Sequence, residues 1–248
     1  MIKILHPHPA LLLRENDKKH IVISDLHIGF EERFTKRGIT IETSTEKMKK
    51  LLIELIQQYQ PEDVIILGDV KDSISRITNA ERRELPKFFQ DISIHTQVRI
   101  IPGNHDGGLD SLLIKKIILE SVHGIIIEKS GLLHGHTKPK QDFGNLDRII
   151  IGHLHPIFNE YSSPISGSQI WAVLKVEKKH LFKSRKGIME IIAVPSFNTE
   201  LTTIGFSKYK QKEISPILRR IRPHVNDAAF MTLEGDIIGG LNHLTRLI

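Results

Sequence analysis

Residues Val98–Asp106 read Val-Arg-Ile-Ile-Pro-Gly-Asn-His-Asp. An apolar run, Val98–Ile101, stops at a Pro-Gly turn and delivers a carboxamide, an imidazole and a carboxylate side by side. The pattern is that of a buried strand ending in a polar loop. Taken alone it is an ordinary strand-to-helix turn. Four other apolar runs end the same way: His20–Ser24 at Asp25-Leu26-His27, Val64–Leu67 at Gly68-Asp69, Leu132–Leu133 at His134-Gly135-His136, and Arg148–Ile151 at Gly152-His153-Leu154-His155.

In open α/β sheets ligand sites lie beyond the carboxyl ends of the strands, so five neighbouring strand ends are expected to bring these side chains to one rim. Asp25/His27 and His153/His155 are i, i+2 pairs, which in extended backbone point the same way, so that each pair can clamp one ion. Imidazole, carboxylate and amide oxygen fit Mn²⁺, Fe²⁺ or Zn²⁺ better than Ca²⁺. The chain has no Cys, so no thiolate competes. The donors are too many for one tetrahedral ion, and a carboxylate can bridge two ions about 3.5–4 Å apart. Each motif also has a bland reading: a His after a strand is usually a hydrogen-bonded or surface residue, and a lone Gly-Asp is a turn. Five in series favour a metal site.

The rest of the chain sets the frame. Its 248 residues suffice for one large α/β domain. Apolar residues at 40% and charged residues at 26% exclude wholesale disorder. The absence of Cys fits a reducing cytoplasm, and the opening MIKILHPHPALLLREN lacks the long apolar core of a signal peptide. A cytoplasmic location and no membrane partner are therefore expected. The net charge of +6 tilts toward anionic partners, nucleic acid among them.

Periodicity predicts a hairpin from Ala10–Leu13 and His20–Ser24, and a helix over Ser44–Tyr59 ended by Pro61. Further helices are predicted over Glu81–Phe89, with a break at Pro86, over Leu109–Glu120 and over Ser215–Arg222. Ile125–Glu128 reads as a brief strand before Leu132–Leu133. Ile170–Val176 and Ile188–Val194 read as strands joined by the basic tip Lys178–Gly187, and Ala228–Leu233 with Ile237–Ile238 as a closing hairpin turning at Gly235. No linker divides the chain. Residues 1–248 are expected to form one domain, with a motif core at 20–156 and strands from 165–248 completing it.

The series DLH, GD, GNHD, HGH and GHLH, running from Ser24 to Pro156, resembles the five-block motif of the calcineurin-like metallophosphoesterases. The later VPSFN (Val194–Asn198), SPILRR (Ser215–Arg220) and terminal Gly-Asp hairpin are similar to archaeal phosphoesterases related to the nuclease Mre11/SbcD and to bacterial relatives encoded with DNA ligases. The resemblance implies an α/β fold, a four-layer α/β/β/α sandwich. It implies one ion held by Asp25, His27 and His155, another by Asn104, His134 and His153, and Asp69 bridging them. Mn²⁺ is the foremost candidate, with Fe²⁺ or Zn²⁺ as alternatives. The implied reaction is hydrolysis of a phosphodiester, in nucleic acid or in a nucleotide or cyclic diester, by in-line attack of a metal-bridging hydroxide. His105 would protonate the leaving oxygen, and Asp72, three residues after Asp69, would orient it.

Two divalent ions, two carboxylates and one hydroxide leave a net charge of about +1, which still attracts a phosphate. A phosphomonoesterase on the same site and a non-catalytic scaffold are the rivals. A scaffold typically shows a broken ligand set, and here every position is filled. For other residues the bland reading leads: Asp106 as a loop or capping residue, Trp171 as core, and Arg33 and Arg37 as solvated loop charges. Phe197, Asn198 and His136 stay open as neighbours of the rim. The tip lysines could touch a nucleic acid backbone or simply be solvated.

Overall fold

The computed structural model describes residues 1–35, 38, 43–160, 163–203 and 215–243. Two sheets organise it. The first runs in chain order: β1 (Ile2–Ile4), β2 (Leu11–Glu15), β3 (Lys18–Ile23), β4 (Asp63–Ile66), β5 (Gln97–Ile100) and β6 (Ile118–Leu119). The second contains β7 (Ile125–Ile127), β8 (Ser130–Leu133), β9 (Arg148–Ile151), β10 (Ile170–Glu177), β11 (Ile188–Ala193), β12 (Val225–Thr232) and β13 (Ile237–Gly240). Its spatial order is β13-β12-β10-β11-β9-β8-β7.

Alternation along the strands sorts side chains into layers. In β3 and β4, Ile21, Ile23, Val64 and Ile66 face the helices. Val22 and Ile65 face the other sheet, where Ile150, Trp171 and Ile192 meet them. Strands buried on both faces read as continuous apolar runs, which is why the alternation is invisible in the sequence. Against the outer face of the first sheet lie α2 (Thr45–Tyr59), through Met48, Leu52, Leu55 and Ile56, and α3 (Asn79–Ile92), through Leu85, Phe88, Phe89 and Ile92. Each such side chain gains roughly 1.5–3 kcal/mol by leaving water. The outer face of the second sheet is covered by α5 (Pro216–Ile221) and by Phe143, Leu146, Leu181 and Phe182 from irregular segments. Two short helices, α1 (Glu32–Thr35) and α4 (Glu200–Thr203), follow strand-end loops. The four-layer α/β/β/α sandwich is the fold, with a thin fourth layer.

Two local expectations change, and one strand is added. Residues Leu109–Glu120 are not an α-helix: a 3-10 turn spans Leu109–Leu112 and β6 follows, paired in parallel with β5 through Arg99–Ile118 and Ile100–Leu119. The open sheet edge offers backbone partners that outweigh helical spacing. Pro86 does not break α3, which continues to Ile92. A capping box at Thr78 and Glu81 and the four buried apolar residues anchor it on both sides of the proline. The N-terminal Ile2–Ile4 forms a strand, pairing antiparallel with Leu11–Leu13. Both expected hairpins, β2–β3 and β12–β13, form.

Candidate metal centre

Parallel pairing puts the carboxyl ends of β3, β4 and β5 together in one sheet, and those of β8, β9 and β11 together in the other. The motif loops therefore do not share the rim of one sheet. Three come from the first sheet and two from the second, and they meet across the same end of the sandwich. A sixth strand end joins them: after β11, Ser196 Oγ donates to the Asp25 carbonyl at 2.6 Å and Asn198 Nδ2 to the Leu26 carbonyl at 2.9 Å. Asn198 props the loop that carries Asp25 and His27, and Phe197 packs in the core beneath it.

The i, i+2 pairs are not extended. Asp25, His27, Asp69, His153 and His155 all sit at positive φ, between 40° and 65°. Non-glycine residues pay for that conformation, and such residues cluster where a site demands them. Main-chain bonds hold them: Asp25 N–H donates to the Gly68 carbonyl at 3.1 Å and His27 N–H to the Asp69 carbonyl at 2.9 Å.

Three donor groups result among the described residues, one of them His27, Asp72 and His105 beside the other two. Of those two, the first is Asp25, His27, Asp69 and His155 and the second Asp69, His134 and His153, so Asp69 belongs to both. In the first, His155 Nε2 lies 3.0 Å from Asp25 Oδ1 and His27 Nε2 lies 3.7 Å from Asp69 Oδ2. In the second, His134 Nε2 lies 3.4 Å from Asp69 Oδ1, 3.2 Å from Asn104 Oδ1 and 3.1 Å from His153 Nδ1. Donors about 2.1 Å from a common ion stand roughly 3–3.4 Å apart, a range that holds every one of these spacings except the 3.7 Å between His27 and Asp69. Asp25, His27, Asp69, His134 and His155 are buried, while Asn104, His105 and His153 are half-buried and form the open side.

The chemistry of the donor set is a cation's. His134 Nδ1 lies 2.6 Å from the Leu67 carbonyl, which can only accept, so Nδ1 carries the proton. In the neutral ring Nε2 then presents a lone pair toward a carboxylate and a carboxamide oxygen, and acceptor facing acceptor is stable only around positive charge. Without an ion, a proton on the ring supplies that positive charge. Burial opposes charge on His134, but Asp69, Asp25 and the Leu67 carbonyl together more than offset it, pushing the imidazole up to about 9. Burial would raise Asp25, yet His155 and His134 hold its carboxyl below the ordinary range. Burial and His134 together push His153 down to about 3 and His136 down to about 4.

The remaining expectations sort themselves by contact. Asp106 is buried, its Oδ1 accepting from Val70 N–H at 2.9 Å and its Oδ2 from Gly103 N–H at 2.8 Å. It stitches the Asp69 loop to the Asn104 loop and does not reach the donor groups. His136 stands beside His134, ring centres 5.2 Å apart, at the margin. Trp171 is core. His105 Nδ1 donates to the main-chain carbonyl of Asp72, so their hydrogen bond does not involve the Asp72 carboxylate, which stands within 4.8 Å of the ring. That carboxylate is taken by Arg33, at 2.6 and 2.7 Å. Arg37 lies outside the described residues. Sequence reasoning missed Ser24, whose Oγ donates to Asp25 Oδ2 at 2.7 Å, and Ser215, whose Oγ donates to the Gly135 carbonyl at 2.6 Å. Their adjacency to motif segments was the available signal. Among the described residues no helix is long and apolar enough to cross a membrane.

No curated protein matches the chain. Among solved structures, the Pseudomonas putida nuclease MPE aligns over 91% of this chain and 97% of that chain, with a TM-score of 0.52 and 15% identity, a likeness of fold alone. YfcE, a phosphoesterase from E. coli, aligns over 89% and 97% with a TM-score of 0.42 and 14% identity. The calcineurin-like phosphoesterase family model matches residues 19–181. That span is well over half of the chain and carries all five motif loops, and the chain belongs to the calcineurin-like phosphoesterase family.

Proposed function

We propose that the protein is a two-metal phosphoesterase that hydrolyses a phosphodiester. The observation that carries this reading is the pair of donor groups sharing Asp69. Asp25, His27 and His155 would hold one ion and Asn104, His134 and His153 the other, with Asp69 common to both. The donor set suits Mn²⁺ first, with Fe²⁺ and Zn²⁺ as alternatives. Ions bound there supply an activated water and positive charge against that developing on the phosphoryl oxygens.

The chain's own residues do the rest. Asn104, His105 and His153 line the open side, so the phosphate enters there. His105 Nε2 lies 3.9 Å from Asp69 Oδ2, at the edge of the shared carboxylate. Because Nδ1 is engaged by the Asp72 carbonyl, the proton His105 gives to the leaving oxygen is the one on Nε2. The P–O bond to the leaving group breaks as the bond from water forms, yielding a monoester and an alcohol. A net charge of about +1 in the loaded site attracts a phosphate ester, and the shape of the open side sets the choice between diester and monoester. The diester belongs to a nucleic acid or to a small nucleotide.

The test is turnover of bis(p-nitrophenyl) phosphate and p-nitrophenyl phosphate with and without Mn²⁺. Metal-dependent turnover of the diester in excess is expected, and His105→Ala should lose at least about 100-fold in kcat while retaining its metal. Preference for the monoester would replace the diesterase reading with a phosphomonoesterase. No turnover of either by protein shown to hold two ions would leave a scaffold.

A further inference from the structure

His27 must present Nε2 to the ion group that it shares with Asp25, Asp69 and His155. A neutral imidazole offers a lone pair at one nitrogen only when the other carries the proton. The ring is 1% exposed, so bulk water cannot take that Nδ1 proton. Asp72 Oδ1 stands 3.4 Å from His27 Nδ1. The carboxylate is itself buried, and Arg33 grips it with two bonds, Nε to Oδ2 at 2.6 Å and Nη2 to Oδ1 at 2.7 Å. The Arg33 side chain is 48% exposed, so it neutralises the carboxylate from the solvent side.

The placement follows from the chain. Arg33 sits on α1, six residues after His27 in the same loop segment, and Asp72 sits three residues after Asp69. The two segments are already paired, Ile28 N–H donating to the Val70 carbonyl at 2.9 Å and Asp72 N–H to the Ile28 carbonyl at 3.2 Å. The Arg33–Asp72 pair therefore staples two metal-bearing loops and points one carboxylate oxygen at the ligand ring. His105 needs only the Asp72 carbonyl, which any residue at that position supplies.

We infer that Asp72, locked by Arg33, is a positioning residue for the ligand His27, and that its side chain does not serve His105. This rests on the two-metal reading. Partners of this kind fix a ligand's tautomer and ring orientation, and their loss weakens metal binding about 10–100-fold.

Calorimetric titration of metal-free protein with Mn²⁺ tests it. In Asp72→Asn one of the two dissociation constants should rise about 10–100-fold while the other stays within about twofold. Arg33→Ala should reproduce the selective weakening in smaller measure, Arg33→Lys should restore part of it, and His105→Ala should move neither constant. Arg33→Ala, altering a half-exposed side chain, carries the test if Asp72→Asn does not fold. Wild-type constants in both the Asp72 and Arg33 variants, with a kcat loss in Asp72→Asn matching that of His105→Ala, would return Asp72 to His105 and leave the two-metal reading standing. Wild-type protein that binds no divalent ion would remove that reading and the inference together.

Discussion

Gly103 and Gly152 show how tightly the backbone is drawn around the carboxylates. A β-carbon on Gly103 would stand 2.2 Å from Asp69 Oδ1, and one on Gly152 would stand 1.7 Å from Ser24 Oγ. Neither clash can be relieved without moving a group that the site depends on. Gly103→Ala should therefore cost about 2–3 kcal/mol of stability and abolish tight metal binding, read by urea denaturation and by metal content. Unchanged values would mean that the Asp69 and Asn104 loops do not pack as described. At this scale much was legible beforehand, because Asp, His and Asn after an apolar run announce themselves by type. The left-handed backbone at Asp25, His27, Asp69, His153 and His155 was not. It is imposed by contacts between loops far apart in sequence. The same is true of Asp106, whose neighbours in the sequence look catalytic and whose partners are main-chain N–H groups.

The elements that hold these loops apart and in register are ordinary. Helix α3 begins at a capping box in which Thr78 Oγ1 accepts from Glu81 N–H at 3.3 Å and Glu81 Oε2 accepts from Thr78 N–H at 2.7 Å. Glu81 also takes Ser73 N–H at 2.7 Å, tying the helix start to the segment after Asp72. Thr78→Ala should lower stability by about 1 kcal/mol in chemical denaturation, the usual worth of such a cap, while leaving metal affinity in place. A loss of metal binding would show instead that the cap shapes the site. Strands β3, β4, β5 and β9 were readable because β-branched runs bounded by turn residues have few other uses. The Leu109–Glu120 segment was misread because Leu112, Leu113, Ile114 and Ile117 fall at helical spacing, and nothing local reveals an open edge at β5.

Across the whole molecule the decisive fact is direction. Strand β11 leaves the basic tip at Ile188 and ends at Ala193, beside the candidate metal centre. Its six residues, at about 3.3 Å each, set the tip roughly 20 Å from the site. That distance is about two and a half times the screening length at physiological salt, so Lys183 and Arg185 cannot steer a small substrate's chemistry. Reversing both charges should leave kcat/KM on bis(p-nitrophenyl) phosphate within about twofold. A larger drop would place the tip nearer the reaction than the strand direction allows. The motif resemblance implied two packed sheets, but five strand ends read alone implied a common rim and not that three and two of them would approach from opposite layers. That convergence is what makes Asp69 common to two donor groups. Crystals soaked in Mn²⁺ and measured for anomalous scattering test it most directly. Two peaks should appear about 3.5–4 Å apart, one on either side of the Asp69 carboxylate. A single peak there, or none, would contradict the two-metal site.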